Sequence, residues 1–290
     1  MKNFCDLHTH SVFSDGTWTP SQIIEKAGSL GLSSVALCDH NTVTGLHDFI
    51  KAAEGKDIEA VCGCEFSVDY DGKEKHLLGL FIKPCDFDKV TALLDEALAK
   101  KEQSNLDLVN ALAKAGYSVD YDKIKAENAG GTINRAHIAR ELTRLGYTAS
   151  VSEAFSTLLH PETGYYTPPE RLTIWQVIEF IKSIGALPVL AHPLLETSED
   201  ELRALLKKAV PLGLCGMEVE YPLFDQKQRA LLRDMAEEFG LLMSGGSDFH
   251  GETKPDTFLG IGTGDLKVPA EWANALSALA SLVQREGDRD

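Results

Sequence analysis

The sequence has no apolar run near the roughly 18–20 residues that cross a bilayer, no CxxC pair among its cysteines, and no excess of positive charge. The first absence speaks against a membrane-spanning helix. The opening residues, Met1 to Asp6, lack the apolar stretch of a secretion signal and run straight into a histidine motif, so a cytoplasmic location is expected. Without CxxC spacing, Cys5, Cys38, Cys62, Cys64, Cys85 and Cys215 are expected to be buried reduced thiols and not a disulfide framework. The net charge of −16 argues against broad binding to long nucleic acids, which needs a large basic surface. It leaves room for a small phosphorylated ligand, because bound metal ions reverse the local field. Internal repeats and low-complexity tracts are also missing.

What is present is an ordinary globular composition, 43% hydrophobic and 25% charged, over 290 residues. That length suffices for one barrel-sized domain plus an insertion. Short apolar strands alternate with amphipathic helices through the first hundred residues. Strands are expected at Phe4 to His8, Ser34 to Cys38 and Ile58 to Cys64. Helices are expected at Pro20 to Leu30, with Thr19 as N-cap, and at Thr44 to Ala53. Phe66 to Ile82, broken at Asp71-Gly72, reads as a hairpin. From Phe87 to Tyr166 helical patterns dominate (Val90 to Ala115, Arg135 to Gly146, Val151 to Leu158), with breaks at Gly130-Gly131 and Tyr165 to Pro169. Alternation then resumes. The strands are Leu187 to Ala191, Gly216 to Glu220 and Leu241 to Ser244; the helices are Ile174 to Ile184, Glu199 to Ala209, Gln226 to Phe239 and Glu271 to Gln284. Such alternation implies a mainly parallel α/β sheet, a barrel or an open doubly wound sheet, interrupted by an all-helical insertion. The segments are 1–86, 87–166 for the insertion, and 167–290.

Function shows in where the histidines fall. Asp6, His8 and His10 lie at the end of the first strand, two residues apart, so an extended chain can present them on one face. His40 follows the second strand and Glu65 closes the third. His192 follows Val189-Leu190-Ala191, and Asp248 with His250 follows Leu241 to Ser244. Parallel α/β folds assemble their sites at these C-terminal strand ends. Imidazole and carboxylate ligands without thiolate suit Zn, Mn or Fe. Cys62 and Cys64 alternate onto the face opposite Glu65 and are expected to pack against helices.

Asp6-Leu7-His8-Thr9-His10 followed by Ser14-Asp15-Gly16 resembles the first motif of the PHP (polymerase and histidinol phosphatase) family. Cys38-Asp39-His40-Asn41, Gly63-Cys64-Glu65, His76, Ala191-His192-Pro193 and Gly246-Ser247-Asp248-Phe249-His250-Gly251 continue the resemblance in the family's order. The resemblance implies a distorted (β/α)7 barrel. The insertion, with Asn134-Arg135-Ala136-His137-Ile138-Ala139, resembles that of the TrpH-type nucleotide phosphatases and exoribonucleases, a branch with three divalent metal ions and nine ligating side chains. By resemblance His8, His10 and Asp248 bind the first metal, and Glu65 bridges to the second. His76 and His192 complete the second; Asp15, His40 and His250 hold the third. Two departures stand out: Cys38-Asp39-His40-Asn41 replaces the common Thr-Asp-His-Asp, and Leu194-Leu195-Glu196 replaces the Gly-Arg-Tyr often found after the third histidine motif.

Divalent cations answer the two problems of phosphate esters, the repulsion of hydroxide and the poor alkoxide leaving group. A metal-bridging hydroxide is therefore expected to attack phosphorus, with His192 and Asp248 as catalytic residues. Asp6 and Asp39 stand beside ligands and either orient imidazoles or make ordinary strand-end contacts. Arg135 and His137 are the substrate-binding candidates in a lid-like insertion; the competing readings are a helix-start surface charge and a packed histidine. Tyr221 and Lys254 read as rim or surface residues. The expected reaction is hydrolysis of a small phosphate ester, above all the 3′-phosphate of a 3′,5′-bisphosphorylated nucleotide, or action at short oligonucleotide ends. Alternatives are a cyclic phosphodiester or a sugar phosphate such as histidinol phosphate, then a metal-dependent amide hydrolase or a non-catalytic metal-binding module.

Overall fold

The structure, a computed structural model, describes residues 3–127 and 133–287; the expected Gly130-Gly131 break lies outside the described residues. The chain forms two compact units, one of residues 1–91 with 172–290 and one of residues 92–171. No helix among the described residues is long and apolar enough to cross a membrane.

The first unit is built on eight strands: β1 (Phe4–Thr9), β2 (Ser34–Leu37), β3 (Glu59–Tyr70), β4 (Lys73–Leu80), β5 (Leu187–Leu190), β6 (Gly216–Glu220), β7 (Leu242–Gly245) and β8 (Val268–Pro269). They hydrogen-bond in the order β7-β6-β5-β4-β3-β2-β1-β8. The sheet curls until the chain leaving β7 meets β1. There Asp248 N–H donates to the His8 carbonyl and His10 N–H to the Phe249 carbonyl, each at 2.8 Å. Gly246 is required at this closure, because a Cβ on it would lie 2.4 Å from the backbone nitrogen of His8. Seven strands thus wrap into the distorted (β/α)7 barrel, and β8 adds two antiparallel residues to the start of β1.

The distortion has a local cause. β1-β2, β2-β3, β5-β6 and β6-β7 pair in parallel, but β4 is antiparallel to both neighbours. A two-residue turn joins β3 to β4, with Asp71 at φ +51° and Gly72 at φ +79°, the signs a tight hairpin demands. The third strand therefore does not stop at Glu65; it runs on to Tyr70 as the first arm of this hairpin.

β2 (SVAL) and β5 (LPVL) are buried along their whole length, as expected of strands covered on both faces. Helices α1 (Pro20–Ser29), α2 (Leu46–Ala53), the opening turn of α3 (Phe87–Lys114), α7 (Ile174–Ser183), α8 (Glu199–Leu212), α9 (Gln226–Phe239) and α10 (Ala270–Gly287) belong to this unit. α1, α7, α8 and α9 each start with a reciprocal capping box: Thr19 with Gln22, Thr173 with Gln176, Ser198 with Glu201, and Asp225 with Gln228. Each box satisfies two N-terminal donors and fixes where the chain turns from loop to helix. The barrel core includes Leu7, Ala36, Val61, Leu78, Leu80, Val189 and Leu276.

The second unit holds the rest of α3 with α4 (Tyr121–Glu127), α5 (Arg135–Arg144) and α6 (Val151–Ser156) around Leu108, Leu112, Ile138, Leu142 and Leu159. α3 does begin at Phe87, but its first turn stays with the first unit, where the Phe87 ring stands edge-on to His47 at 5.0 Å.

Candidate metal centre

Five chain segments bring nine side chains together. His8 lies on β1, with His10 and Asp15 in the loop after it. His40 follows β2, Glu65 and His76 come from within the β3–β4 hairpin, His192 follows β5, and Asp248 with His250 follow β7. Glu65 and His76 depart from the strand-end rule because antiparallel pairing carries their strands past the mouth of the barrel.

Glu65 is the hub. Its Oε1 lies 2.9 Å from His76 Nδ1 and 3.0 Å from His192 Nε2. Its Oε2 lies 3.2 Å from His8 Nε2, 3.2 Å from His10 Nε2 and 3.1 Å from His40 Nδ1. Asp248 Oδ1 is 3.2 Å from His10 Nε2, and Asp15 Oδ1 is 3.2 Å from His250 Nε2. Within this set three groups have ligand atoms all within 4.8 Å of one another: His10-Asp15-His40-His250, His8-His10-Glu65-Asp248 and His40-Glu65-His76.

The donor set fits divalent cations. His8 Nε2 faces His10 Nε2 at 3.0 Å, and His76 Nδ1 faces His192 Nε2 at 3.3 Å. His10 Nδ1 and Glu65 Oε2 are buried without a hydrogen-bond partner among the described residues, which is costly unless something else satisfies them. Ring nitrogens and carboxylate oxygens converge here, and imidazole-carboxylate sets of this kind suit Zn, Mn and Fe.

Two of the imidazoles have their tautomers set from behind. His8 Nδ1 donates to Glu218 Oε1 at 3.0 Å, and His250 Nδ1 donates to the backbone carbonyl of Asp248 at 2.7 Å, so each turns an Nε2 lone pair into the cluster. Glu218 also accepts the backbone N–H of His192 through Oε2 at 2.7 Å. Sequence reading missed Glu218. Its signal was an acidic residue between Met217 and Val219 in the strand Gly216–Glu220, all of it buried.

Asp6 and Asp39 do not orient imidazoles. Asp6 accepts from Ser247 N–H, Ser247 Oγ and Gly260 N–H; Asp39 accepts from Ser11 N–H, Ser11 Oγ and Ser14 Oγ. Both are loop staples, and they hold the ligand-bearing turns onto β1 and β2. Tyr221 and Lys254, expected at the rim, both reach the cluster: the Tyr221 hydroxyl donates to Asp248 Oδ2 at 2.8 Å and Lys254 Nζ at 2.7 Å. Backbone strain collects here too. Asn41, His192 and Asp248 have φ of +50°, +26° and +51°, each a disfavoured state for a non-glycine residue.

Charge follows from the packing. Burial opposes ionisation of Glu65, yet the imidazoles of His40, His76 and His8 outweigh it and hold the carboxyl well below its usual range. Burial likewise opposes a charged His10, and the carboxylates of Asp248 and Glu65 overcome it, raising His10 to about 9. For His76 burial is outweighed by Glu65, giving about 10. His40 goes the other way, to about 4, because burial dominates and His10 and His76 add repulsion.

Arg135 and His137 belong to the second unit. The Arg135 guanidinium lies 4.3 Å over the Tyr166 ring and 5.5 Å from that of Phe155. His137 Nδ1 accepts the backbone N–H of Asn134 in the capping box that opens α5.

The PHP domain model matches residues 6–146. The chain is 35% identical to a 5′-3′ exoribonuclease of Haemophilus influenzae, over 84% of this chain and 89% of that one. It is 29% identical to a phosphoribosyl 1,2-cyclic phosphate 1,2-diphosphodiesterase of Eggerthella lenta, over 85% and 94%. It is also 29% identical to a 3′,5′-nucleoside bisphosphate phosphatase of Chromobacterium violaceum, over 84% and 86%. A solved structure from Bifidobacterium adolescentis, assigned as a metal-dependent phosphoesterase, superposes with a TM-score of 0.73 at 28% identity, covering 95% of this chain and 96% of that one. With the barrel, the histidine-carboxylate cluster and these relatives in agreement, the chain belongs to the PHP family of metal-dependent phosphoesterases.

Proposed function

We propose that the chain cleaves the phosphate ester on the 3′ oxygen of a small 5′-phosphorylated nucleotide, with a 3′,5′-bisphosphorylated nucleotide as the preferred substrate and short RNA ends as a longer version of the same linkage. The observation that carries this reading is the continuous set of nine ligand-type side chains around Glu65. Three divalent ions, Mn, Fe or Zn, fit the set. His8, His10 and Asp248 would hold one, His76 and His192 a second with Glu65 shared, and Asp15, His40 and His250 a third. When bound, such ions activate water and neutralise charge on the phosphoryl oxygens.

The protein's own groups do the rest. Glu218 and the Asp248 carbonyl keep the Nε2 lone pairs of His8 and His250 facing inward. His192 and Asp248 are the members of the set assigned to the reacting group; the His192 side chain keeps 13% of its surface open to solvent and is held at a strained φ by the Glu218 bond to its N–H. Arg135 and His137 are assigned to a phosphate of the substrate, and a guanidinium already ordered on two rings loses little freedom on binding. The charge of −16 favours a small or end-bound substrate over long duplex, and the free thiols suit a cytoplasmic location.

The bisphosphate phosphatase and exoribonuclease relatives support one linkage chemistry, since a bisphosphorylated nucleotide is the smallest molecule with both a 5′-phosphate and a 3′-phosphoester. A second reading, hydrolysis of a cyclic ribose phosphodiester, is favoured by the Eggerthella relative and by Leu194-Leu195-Glu196 at the departure from the family pattern. The test is phosphate release by Mn²⁺-loaded protein from adenosine 3′,5′-bisphosphate, run beside histidinol phosphate, a cyclic ribose phosphate and a short 5′-phosphorylated RNA, with His192→Asn as control. Release from the bisphosphate that the variant loses supports the reading. Turnover of the cyclic diester alone replaces it with the second.

A further inference from the structure

Asp248 presents its two carboxylate oxygens to opposite surroundings. Oδ1 faces the imidazoles, 3.2 Å from His10 Nε2 and 3.4 Å from His250 Nδ1. Oδ2 accepts from a phenol and an ammonium, the Tyr221 hydroxyl at 2.8 Å and Lys254 Nζ at 2.7 Å. We propose that Lys254 is an anion clamp for the phosphoryl group itself, selecting a terminal phosphate dianion beside His192, with Tyr221 as the positioning residue that holds Asp248 Oδ2 against the ammonium. This rests on the phosphoesterase reading above.

Three features support the assignment. Lys254 Nζ touches a cluster carboxylate, yet 42% of the side chain is open to solvent. An ammonium carries three donors, so others remain for an incoming oxygen. Tyr221, by contrast, is 4% exposed and locked in place. Its ring lies 5.3 Å from that of His192 and 5.0 Å from that of Phe224. Its backbone carbonyl accepts from Arg229 Nη2 at 3.3 Å, and Arg229 is itself held by Asp265. Tyr221 therefore spends its one hydroxyl proton fixing the Asp248 oxygen that positions Lys254, and the ammonium alone has donors to spare for a phosphate.

The charge balance points the same way. Asp15, Glu65, Asp248 and Glu218 place four acidic side chains at the cluster, and the Lys254 ammonium on Asp248 adds to the positive charge that bound metal ions would offer a dianion. Lys254 sits four residues beyond His250, at the end of the short helical turn Gly251–Thr253, so the loop that supplies ligands also supplies the cation. A terminal phosphate offers more negative charge than a diester and gains more from that ammonium.

The experiment uses inorganic phosphate as probe on the Mn²⁺-loaded protein, with calorimetry for its affinity and elemental analysis for bound Mn²⁺. Lys254→Met, Lys254→Arg and Tyr221→Phe are compared with wild type. The clamp predicts that Lys254→Met weakens phosphate binding by about tenfold or more at unchanged Mn²⁺ content, with partial recovery in Lys254→Arg and a smaller loss in Tyr221→Phe. Equal affinity in Lys254→Met and wild type overturns the clamp even if the wild type releases phosphate from the bisphosphate. So does a loss of affinity that merely tracks lost Mn²⁺, since Lys254 would then only hold Asp248. Wild-type protein that shows the predicted pattern but does not turn over the bisphosphate keeps the clamp and removes the proposed substrate.

Discussion

Glu218 and His8, 210 residues apart in sequence, meet with Oε1 3.0 Å from Nδ1 and neither side chain exposed to solvent. The other oxygen of the same carboxylate holds the backbone N–H of His192. One buried residue on β6 thus sets the tautomer of the first histidine and the strained backbone of the last histidine but one.

Glu218→Gln keeps the shape and breaks this double acceptance, because an amide accepts through one atom only. One of the two donors is left unsatisfied in the interior, at a cost of about 1–3 kcal/mol. Metal retention during dialysis against graded chelator is expected to fall roughly 10–100-fold. Wild-type retention in the variant would remove Glu218 from the account.

Gly246→Ala tests the barrel closure. The added methyl would sit 2.4 Å from both the backbone nitrogen and the Cβ of His8, so β1 and the end of β7 must separate. The melting temperature should drop by the equivalent of at least about 1–3 kcal/mol, the usual cost of overpacking, and metal retention should drop with it. A variant that melts and binds metal like the wild type would contradict the tight crossing.

The metal-free protein should depend on pH in a definite direction. His10 at about 9 and His76 at about 10 are raised above the unfolded value. Their stabilising contribution is therefore complete below about pH 6.5 and is lost as pH rises through 9 to 10. Metal binding replaces those protons, so the gap in melting temperature between loaded and stripped protein should widen from pH 6.5 to 9.5. Parallel curves across that window would count against the buried imidazole-carboxylate pairs.

Thiol chemistry should single out one residue. Cys85 is exposed, Cys215 is half-buried, and Cys5, Cys38, Cys62 and Cys64 are buried. Burial pushes Cys5, Cys62 and Cys215 up to about 12, so little thiolate forms at pH 8. A chromogenic disulfide reagent should titrate one thiol quickly in native protein and six after denaturation. Two or more fast native thiols would contradict the full or partial burial of the other five cysteines.

Periodicity carried much of the barrel. β6 and α9 fall at the expected residues, and Thr19 caps α1 as its sequence suggests. The misses have physical causes. The hairpin turns at Asp71-Gly72 as expected, but the third strand and the first hairpin arm are one continuous β3, a continuity that local apolar pattern does not show. β8 has two residues and α4 has seven, too few for a period to show. In the site, residues with motif neighbours were legible: the structure brings together all nine side chains expected there. Glu218 was not, because an acid between apolar neighbours in a strand signals burial without naming its partner. For Asp6 and Asp39 adjacency left two roles open, orienting imidazoles or making strand-end polar contacts, and long-range loop contacts decide for the second.

The most direct measurement of the central claim is anomalous scattering from crystals of the Mn²⁺-loaded protein at the manganese edge. Three peaks are expected inside the cluster, each bounded by its assigned side chains, with Glu65 touching two of them. Asp15→Asn should remove or weaken the peak shared by His40 and His250 and leave the others. No peaks within the nine side chains, in protein shown to be folded and exposed to excess Mn²⁺, would contradict the multi-metal site and the phosphoester chemistry built on it.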